Sequence, residues 1–268
     1  MAELTVVKSG GSVDPGLICA DVAALIERGQ RVIVVHGGAP EISRLASQLG
    51  VPERTLLSPA GVTSRHTDLA MLDVVTLALT GRAKPRLILS LAGHGVRAVG
   101  LTGLDGGLLR AQRKPAQRSL VDGRVVLVRD DHSGRVTSVA TDVLRVLLDG
   151  GLTPVVSPPA AAEDGSPLNV DADRAAAAIA AAMGADRLLL LTSAPGLLTD
   201  VTDAASVLRR CVLPADGLVP YAASGGMHRK VVAAREALLR GVPEVIIGDG
   251  RTPRPLTQIS GTVMEVSA

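Results

Sequence analysis

The chain has 268 residues, 47% hydrophobic and 20% charged, with a formal net charge of +2 at pH 7. That composition excludes an intrinsically disordered chain and allows one large domain or two lobes with a sizeable core. There is no Phe, no Trp and one Tyr (Tyr221), which excludes base-stacking single-strand binders, aromatic cages and aromatic-girdled barrels, and the balanced charge argues against a dedicated DNA binder.

The first predicted strand is Leu4–Lys8, followed by a Ser9-Gly10-Gly11-Ser12 turn and a helix ending near Gly29. Arg31–His36 is a second strand, followed by Gly37-Gly38 and a helix toward Gly50. Ser64 or Thr67 caps a helix reaching Leu79, and Lys84–Gly93 forms another. Val96–Leu101 is a strand running into Gly103-Leu104-Asp105-Gly106-Gly107. Residues 107–139 change character: short β-prone pieces split by Asp122-Gly123 and Ser133-Gly134 read as an antiparallel hairpin insertion.

Thr141–Leu148 reads as a helix, and Thr153–Ser157 as a strand that Pro158-Pro159 cannot continue. Asp171–Met183 is an Ala-rich helix, Asp186–Thr192 a buried strand and 199–220 an irregular stretch. Gly225 or Gly226 opens a helix toward Arg240, Glu244–Gly248 is a strand, and Gly261–Val266 a last edge strand. Apolar strands alternating with helices imply an α/β fold with a mostly parallel sheet covered on both faces. Ligands of such sheets sit beyond the carboxyl ends of the strands.

Cys19 and Cys211 are the only cysteines, so neither metal spacing nor a disulfide framework exists. The start of the chain lacks a basic, apolar leader, and no run reaches the ~18 apolar residues of a membrane span. The expectation is a soluble cytoplasmic protein.

Only four of the 28 basic side chains are lysines: Lys8, Lys84, Lys114 and Lys230. Lys8 ends a buried strand and faces a glycine turn entering a helix, an arrangement suited to phosphate, although the Walker spacing is absent. His36-Gly37-Gly38 offers a second such turn, while His36 itself reads as an end-of-strand side chain. Arg65 precedes a helix, where its guanidinium could clamp a carboxylate or simply be solvated. Asn169, Asp171 and Asp173 alternate along a loop, as Mg²⁺ ligands or as first-turn helix acids. Lys230 falls in the first turns of a helix, where the dipole disfavours a cation unless an anion compensates it. Gly100, Gly103 and Gly106 lack the spacing of a dinucleotide fingerprint.

Taken in order, these motifs resemble the amino acid kinase family over nearly the whole chain, and its acetylglutamate kinase branch in particular. The matching segments are K-x-G-G-S at residue 8, H-G-G at 36, S-R-x-T-D at 64 and G-L-x-G-x-D-G at 100. They continue with N-x-D-x-D at 169, L-T-x-x-P-G-L at 191 and G-G-M-x-x-K-V at 225. Within the branch, Gly61–Arg65, the basic insertion and Ser157-Pro158-Pro159-Ala160 are similar to the carrier-linked, LysW-aminoadipate kinase type. Ala39 stands where the family has a third glycine.

The resemblance implies a three-layer αβα sandwich with two lobes. Residues 1–170 would bind the amino-acid substrate and dimerise, carrying the basic hairpin 107–139, and residues 171–268 would bind ATP. It implies transfer of the ATP γ-phosphate, with Mg²⁺, to a side-chain carboxylate. Lys8, Lys230 and Asp173 would be catalytic. Gly37, Gly38, Arg65 and Asn169 would bind the acceptor. Gly10, Gly11, Ser193, Gly196, Leu197 and Gly226 would bind ATP, with Leu197 and Tyr221 on the nucleotide side. Between residues 110 and 135 seven basic residues face three acidic ones, a field that would steer a small acidic amino-group carrier protein. Arg113, Lys114, Arg118, Arg124 and Arg129 are its candidate contacts. The resemblance further implies a homodimer without arginine feedback, and no nucleic-acid or membrane partner. N-acetylglutamate kinase, and a catalytically silent sensor on the same fold, stand as alternatives.

Overall fold

The computed structural model describes residues 2–11, 13–59, 61–121, 123–217 and 226–267. Ser12, Asp122, Tyr221, Ser224 and Gly225 lie outside the described residues. The N-terminal half runs β1 (Leu4–Ser9), α1 (Pro15–Glu27), β2 (Arg31–His36), α2 (Ala39–Leu49), β3 (Thr55–Leu57), β4 (Thr63–Arg65) and α3 (Leu69–Leu77). A π-helical turn, Ala78–Ala83, joins α3 to α4 (Lys84–Gly93). There follow β5 (Ala98–Thr102), β6 (Leu109–Arg113), β7 (Gln117–Val121), β8 (Arg124–Val128), β9 (Ser133–Val139) and α5 (Thr141–Asp149). Then come β10 (Thr153–Ser157), β11 (Ala160–Ala161), β12 (Pro167–Val170), α6 (Ala172–Met183) and β13 (Arg187–Thr192). The chain closes with β14 (Arg210–Leu213), α7 (Gly226–Leu239), β15 (Glu244–Asp249) and β16 (Gly261–Val266).

Eight strands form one sheet in the order β14-β16-β15-β13-β1-β2-β10-β5. Every pair from β15 through β5 is parallel, and β16 returns antiparallel to β15. The alternation of each central strand divides its side chains between two apolar layers. Val6, Ile33, Val35, Leu188 and Leu190 pack with α5, α6 and α7. Val7, Val32, Val34, Leu189 and Leu191 pack with α1 and α4. The absence of aromatic rings is met by close approach: α6 buries Ala175, Ala176, Ala177, Ala178 and Ala180, which let the helix lie near the sheet. The sandwich expected from the sequence is the one observed.

Several local expectations change. Asp68, not Ser64 or Thr67, caps α3, its carboxylate accepting from the Met71 amide at 2.9 Å; a carboxylate also suits the helix dipole. Ser133-Gly134 is not a turn but the start of β9, because Gly134 pairs with both Arg113 and Val170. A Cβ there would lie 2.9 Å from Leu168 Cδ1, so the glycine serves strand packing. Gly261–Val266 is not an edge, since β14, inside the stretch read as irregular, pairs beyond it. The insertion does form two antiparallel pairs, β6–β9 and β7–β8, but β6 and β9 also close a small barrel with β11 and β12.

Candidate active site

The site is assembled where β1, β2 and β13 end. Lys8 shares the parity of Val6 and so points to the α6–α7 side of the sheet. Asp171 caps α6 by accepting from the Asp173 and Arg174 amides at 3.0 Å each, which fixes Asp173 in the first turn. Lys8 Nζ lies 3.0 Å from Asp173 Oδ1, and Lys230 Nζ of α7 donates to the same oxygen at 2.8 Å. All three side chains are buried. Two ammoniums against one carboxylate leave one positive charge uncompensated in a low-dielectric setting, an electrostatic demand for an anion.

The titration shifts follow from this arrangement. Burial opposes ionisation of Asp173, but the Lys8 and Lys230 charges outweigh it and hold the carboxyl at about 2. Burial, then the neighbouring Lys8 charge, brings Lys230 down to about 8 against the pull of Asp173. Burial also opposes the Lys8 charge, yet Asp173 prevails and raises it. Both lysines are therefore cations at neutral pH.

The two glycine turns meet beside this cluster. A Cβ on Gly11 would stand 2.9 Å from Pro40 Cδ and 3.3 Å from Gly38 Cα. Only glycine at position 11 lets these turns touch, and glycine turns at strand ends are suited to cradling an anion. His36 Nδ1 lies 3.0 Å from the Gly37 carbonyl, and burial is the main cause that lowers its pKa to about 4. The ring is thus neutral at pH 7, and it holds the turn as an N–H donor.

A cavity of about 490 Å³ opens next to the cradle, lined among others by Gly37, Gly38, Arg65, Asn169, Lys114 and Arg229. Arg65 pairs with Glu53 and reaches Ser43 Oγ at 3.5 Å. Burial, then Arg229 nearby, lowers its pKa. Asn169 Nδ2 donates to Thr67 Oγ1 at 3.1 Å. Ala39 lines the same wall.

The structure thus brings Lys8, Asp173 and Lys230 together, and Arg65, Asn169, Gly37 and Gly38 around one cavity. The nucleotide-side residues are more dispersed. Ser193 is exposed just after β13 and Gly226 is exposed at the start of α7. Gly196 adopts φ 145°, and a Cβ there would lie 2.8 Å from Thr262 Oγ1. Gly10 likewise runs close to the β13 end, with a Cβ 3.1 Å from Leu191 O. Leu197 is 1% exposed and sits in the core, its amide donating to Thr262 Oγ1 at 2.8 Å. Its side chain packs in the core and supports the loop from within.

Among the basic residues, Lys114 lines the cavity, and Arg118, Arg124 and Arg129 are exposed. Arg113 differs: its guanidinium donates to the Asp131 carbonyl at 2.9 Å and the Arg129 carbonyl at 2.7 Å, stapling the insertion. Asp131 is buried and accepts from the Thr67 amide at 2.8 Å, so its charge is turned inward. Within residues 169–173, Asp173 pairs with the two lysines, and Asp171 caps α6 and lies 3.3 Å from Arg229 Nε. No group of three His, Cys, Asp or Glu side chains suited to a metal occurs among the described residues.

Sequence reasoning missed Arg229. It donates to the Thr63 carbonyl at 3.2 Å and so links α7 to the β3–β4 hairpin. The signal was present, since Arg229 is a second cation misplaced in the first turn of a helix. Arg174 was missed as well. It lines the cavity and makes a two-point ion pair with Glu236.

Buried cations gathered on one carboxylate, with glycine turns at strand ends and an open basic cavity, define a phosphotransferase built to join two anions. The chain belongs to the amino acid kinase family, which it matches over residues 3–249. It is 42% identical over 261 residues to a [LysW]-aminoadipate kinase of Deinococcus radiodurans, covering 96% of this chain and 89% of that one. A [LysW]-aminoadipate kinase of Thermus thermophilus is 36% identical, covering 97% and 100%. An acetylglutamate kinase of Geobacillus thermodenitrificans is 38% identical, covering 94% and 92%. Among solved structures, smu.665 of Streptococcus mutans superposes with a TM-score of 0.78 at 23% identity, covering 99% of both chains. Giardia carbamate kinase gives 0.67 at 16% identity, also covering 99% of both, a likeness of fold. The resemblance read from the motifs, and the kinase activity it implies, are borne out by these relatives.

Proposed function

We propose that the chain phosphorylates the side-chain carboxylate of 2-aminoadipate or glutamate whose amino group is blocked by a small acidic carrier protein. The observation that carries this reading is the placement of the Lys8–Asp173–Lys230 cluster beside a cavity whose rim is basic. The acceptor carboxylate is ionised at pH 7, so it attacks the γ-phosphorus without a general base. One P–O bond to the acceptor forms as the bond to ADP breaks. Both reactants are anions, and catalysis consists of alignment and charge neutralisation.

Lys8 holds the transferring phosphoryl, Lys230 the leaving oxygen, and Asp173 keeps the two ammoniums apart and aimed. The Gly11, Gly37 and Gly38 amides donate to the phosphoryl oxygens. Arg65 and Asn169 hold the backbone end of the amino acid. Mg²⁺ would neutralise phosphate charge, and with Asp171 and Asp173 already committed it would ride on the nucleotide and not on a protein cage. The nucleotide lies over residues 171–268 and the acceptor over 1–170, with Gly10, Gly11, Ser193, Gly196 and Gly226 on the nucleotide side. The exposed Lys114, Arg118, Arg124 and Arg129 receive the carrier. We read the protein as a cytoplasmic homodimer, and the exposed Leu69 and Leu77 of α3 supply an apolar face for that contact.

The second reading, N-acetylglutamate kinase, is favoured by the 38% identity to an enzyme of that name and shares the same machinery. Trapping of acyl phosphate by hydroxylamine separates the two when free N-acetylglutamate, free N-acetyl-aminoadipate and a carrier-linked acceptor are compared. Hydroxamate from the carrier-linked acceptor supports the first reading, and turnover confined to the small acids supports the second.

A further inference from the structure

The third buried lysine belongs to neither group described so far. Lys84 is 6% exposed and opens α4, on the opposite face of the sheet from Lys8. Its ammonium donates to the Leu101 carbonyl at 2.5 Å. Lys8 and Lys230 share a carboxylate, whereas this cation rests on the backbone at the end of β5. Burial accordingly lowers its pKa to about 8, with Asp105 opposing.

The sequence is shaped to accommodate it. A Cβ on Gly100 would lie 2.8 Å from Lys84 Cδ and 2.6 Å from Ile88 Cδ1, so the lysine stem occupies the space that glycine leaves. The loop after β5 is then held in place: the Thr102 amide and hydroxyl donate to Asp105 Oδ2 at 2.6 and 2.8 Å. The glycine-rich segment at 100–107, which fits no dinucleotide fingerprint, thus presents a carbonyl and a groove to Lys84.

Lys84 also closes the π-helical turn Ala78–Ala83, an element that often marks a functional position. That turn reaches the acceptor cavity. Leu79 lines it, and a Cβ on Gly38 would stand 2.7 Å from Leu79 Cδ2 and 3.7 Å from Ala83 Cβ. On the solvent side, Arg82 reaches Gln48 at 2.7 Å and Arg86 reaches Glu41 at 3.0 Å, both on α2. From within the protein, the anchor is Lys84.

We propose that Lys84 is a positioning residue for the acceptor pocket: by tying the π-helical turn to the end of β5, it sets Leu79 against Gly38 and so aims the second glycine turn. Lys84 touches neither reactant in this scheme. The kinetic part rests on the carboxylate-kinase reading above, but the structural part needs no acceptor.

Hydrogen exchange of wild type and Lys84→Met tests the structural part. Faster exchange is expected in peptides covering Gly37–Ala39 and Ala78–Ala83, with the β13 and β15 peptides unchanged. Unaltered protection of the glycine turn would overturn the proposal. Steady-state kinetics add a second readout. A small misplacement of the turn is expected to raise the acceptor KM about tenfold while the ATP KM stays within about twofold. Equal rises in both constants would signify general loosening and also overturn it. Gly100→Ala keeps the lysine but displaces its stem, and it serves if Lys84→Met does not fold. It is expected to give the same selective pattern, and a wild-type pattern would count against the proposal.

Discussion

Asp173 carries the charge balance of the site. Its carboxylate, at about 2, is shared by two buried ammoniums. Lys8→Ala and Lys230→Ala are each expected to reduce kcat by about 10²–10³-fold, the scale of losing one preorganised charge on the transferring group. Circular dichroism should show an intact fold in both, because each leaves a balanced pair. Asp173→Ala leaves two buried cations facing each other, and a chemical-denaturation midpoint should reveal a loss of about 3–5 kcal/mol. The pH dependence has a definite sign. Lys230 acts as a cation and loses its proton as pH rises through about 8, so kcat/KM should fall on the alkaline side of that value. A profile flat to pH 10 would remove Lys230 from the chemistry. Arg65→Ala should raise the acceptor KM and leave the ATP KM unchanged. These lysines were legible because the chain has so few, and each adjoins a glycine turn. Arg229 carried the same helix-start signal as Lys230 but stands at an unspecified position of the G-G-M-x-x-K-V segment, and its partners Thr63 and Asp171 are remote in sequence.

At the scale of elements, the β7–β8 hairpin separates the two functional readings. Its register pairs Arg118 with Leu127 and Val121 with Arg124, which puts the two arginines on opposite faces of the hairpin, and both are exposed. Arg118→Glu combined with Arg124→Glu should raise KM for a carrier-linked acceptor and weaken its salt dependence, with no effect on ATP binding. Long strands and helices were read directly from the sequence, since β1, β2, β10, β13 and β15 are continuous apolar runs. The short elements were not. β3, β4, β11 and β12 have two to four residues, too few to show a period; β3 and β4 pair with each other, and β11 and β12 are fixed by pairing with the remote β6 and β9. β14 alternates exposed and buried residues over only four positions. The cap of α3 was misplaced because three polar residues in succession, His66, Thr67 and Asp68, follow Arg65 and only geometry selects among them.

For the whole molecule, the site lies between the part that supplies Lys8, Arg65 and the glycine turns and the part that supplies Asp173 and Lys230. Arg229 bridges them through Thr63. Closure of the two parts around both substrates would exclude water from an acyl phosphate that water would destroy. Sedimentation should give twice the chain mass, and Leu69→Glu with Leu77→Glu should return it to one. The absence of Phe and Trp is no handicap to the proposed chemistry, because carboxylate and phosphate call for cations and amides, not rings. The most direct test of the central claim is hydroxylamine trapping with Mg-ATP and a carrier-linked 2-aminoadipate acceptor. Wild type should form hydroxamate in proportion to ADP, and Lys8→Ala should form almost none. ADP release without hydroxamate, or hydroxamate undiminished in Lys8→Ala, would contradict transfer to a carboxylate at this site.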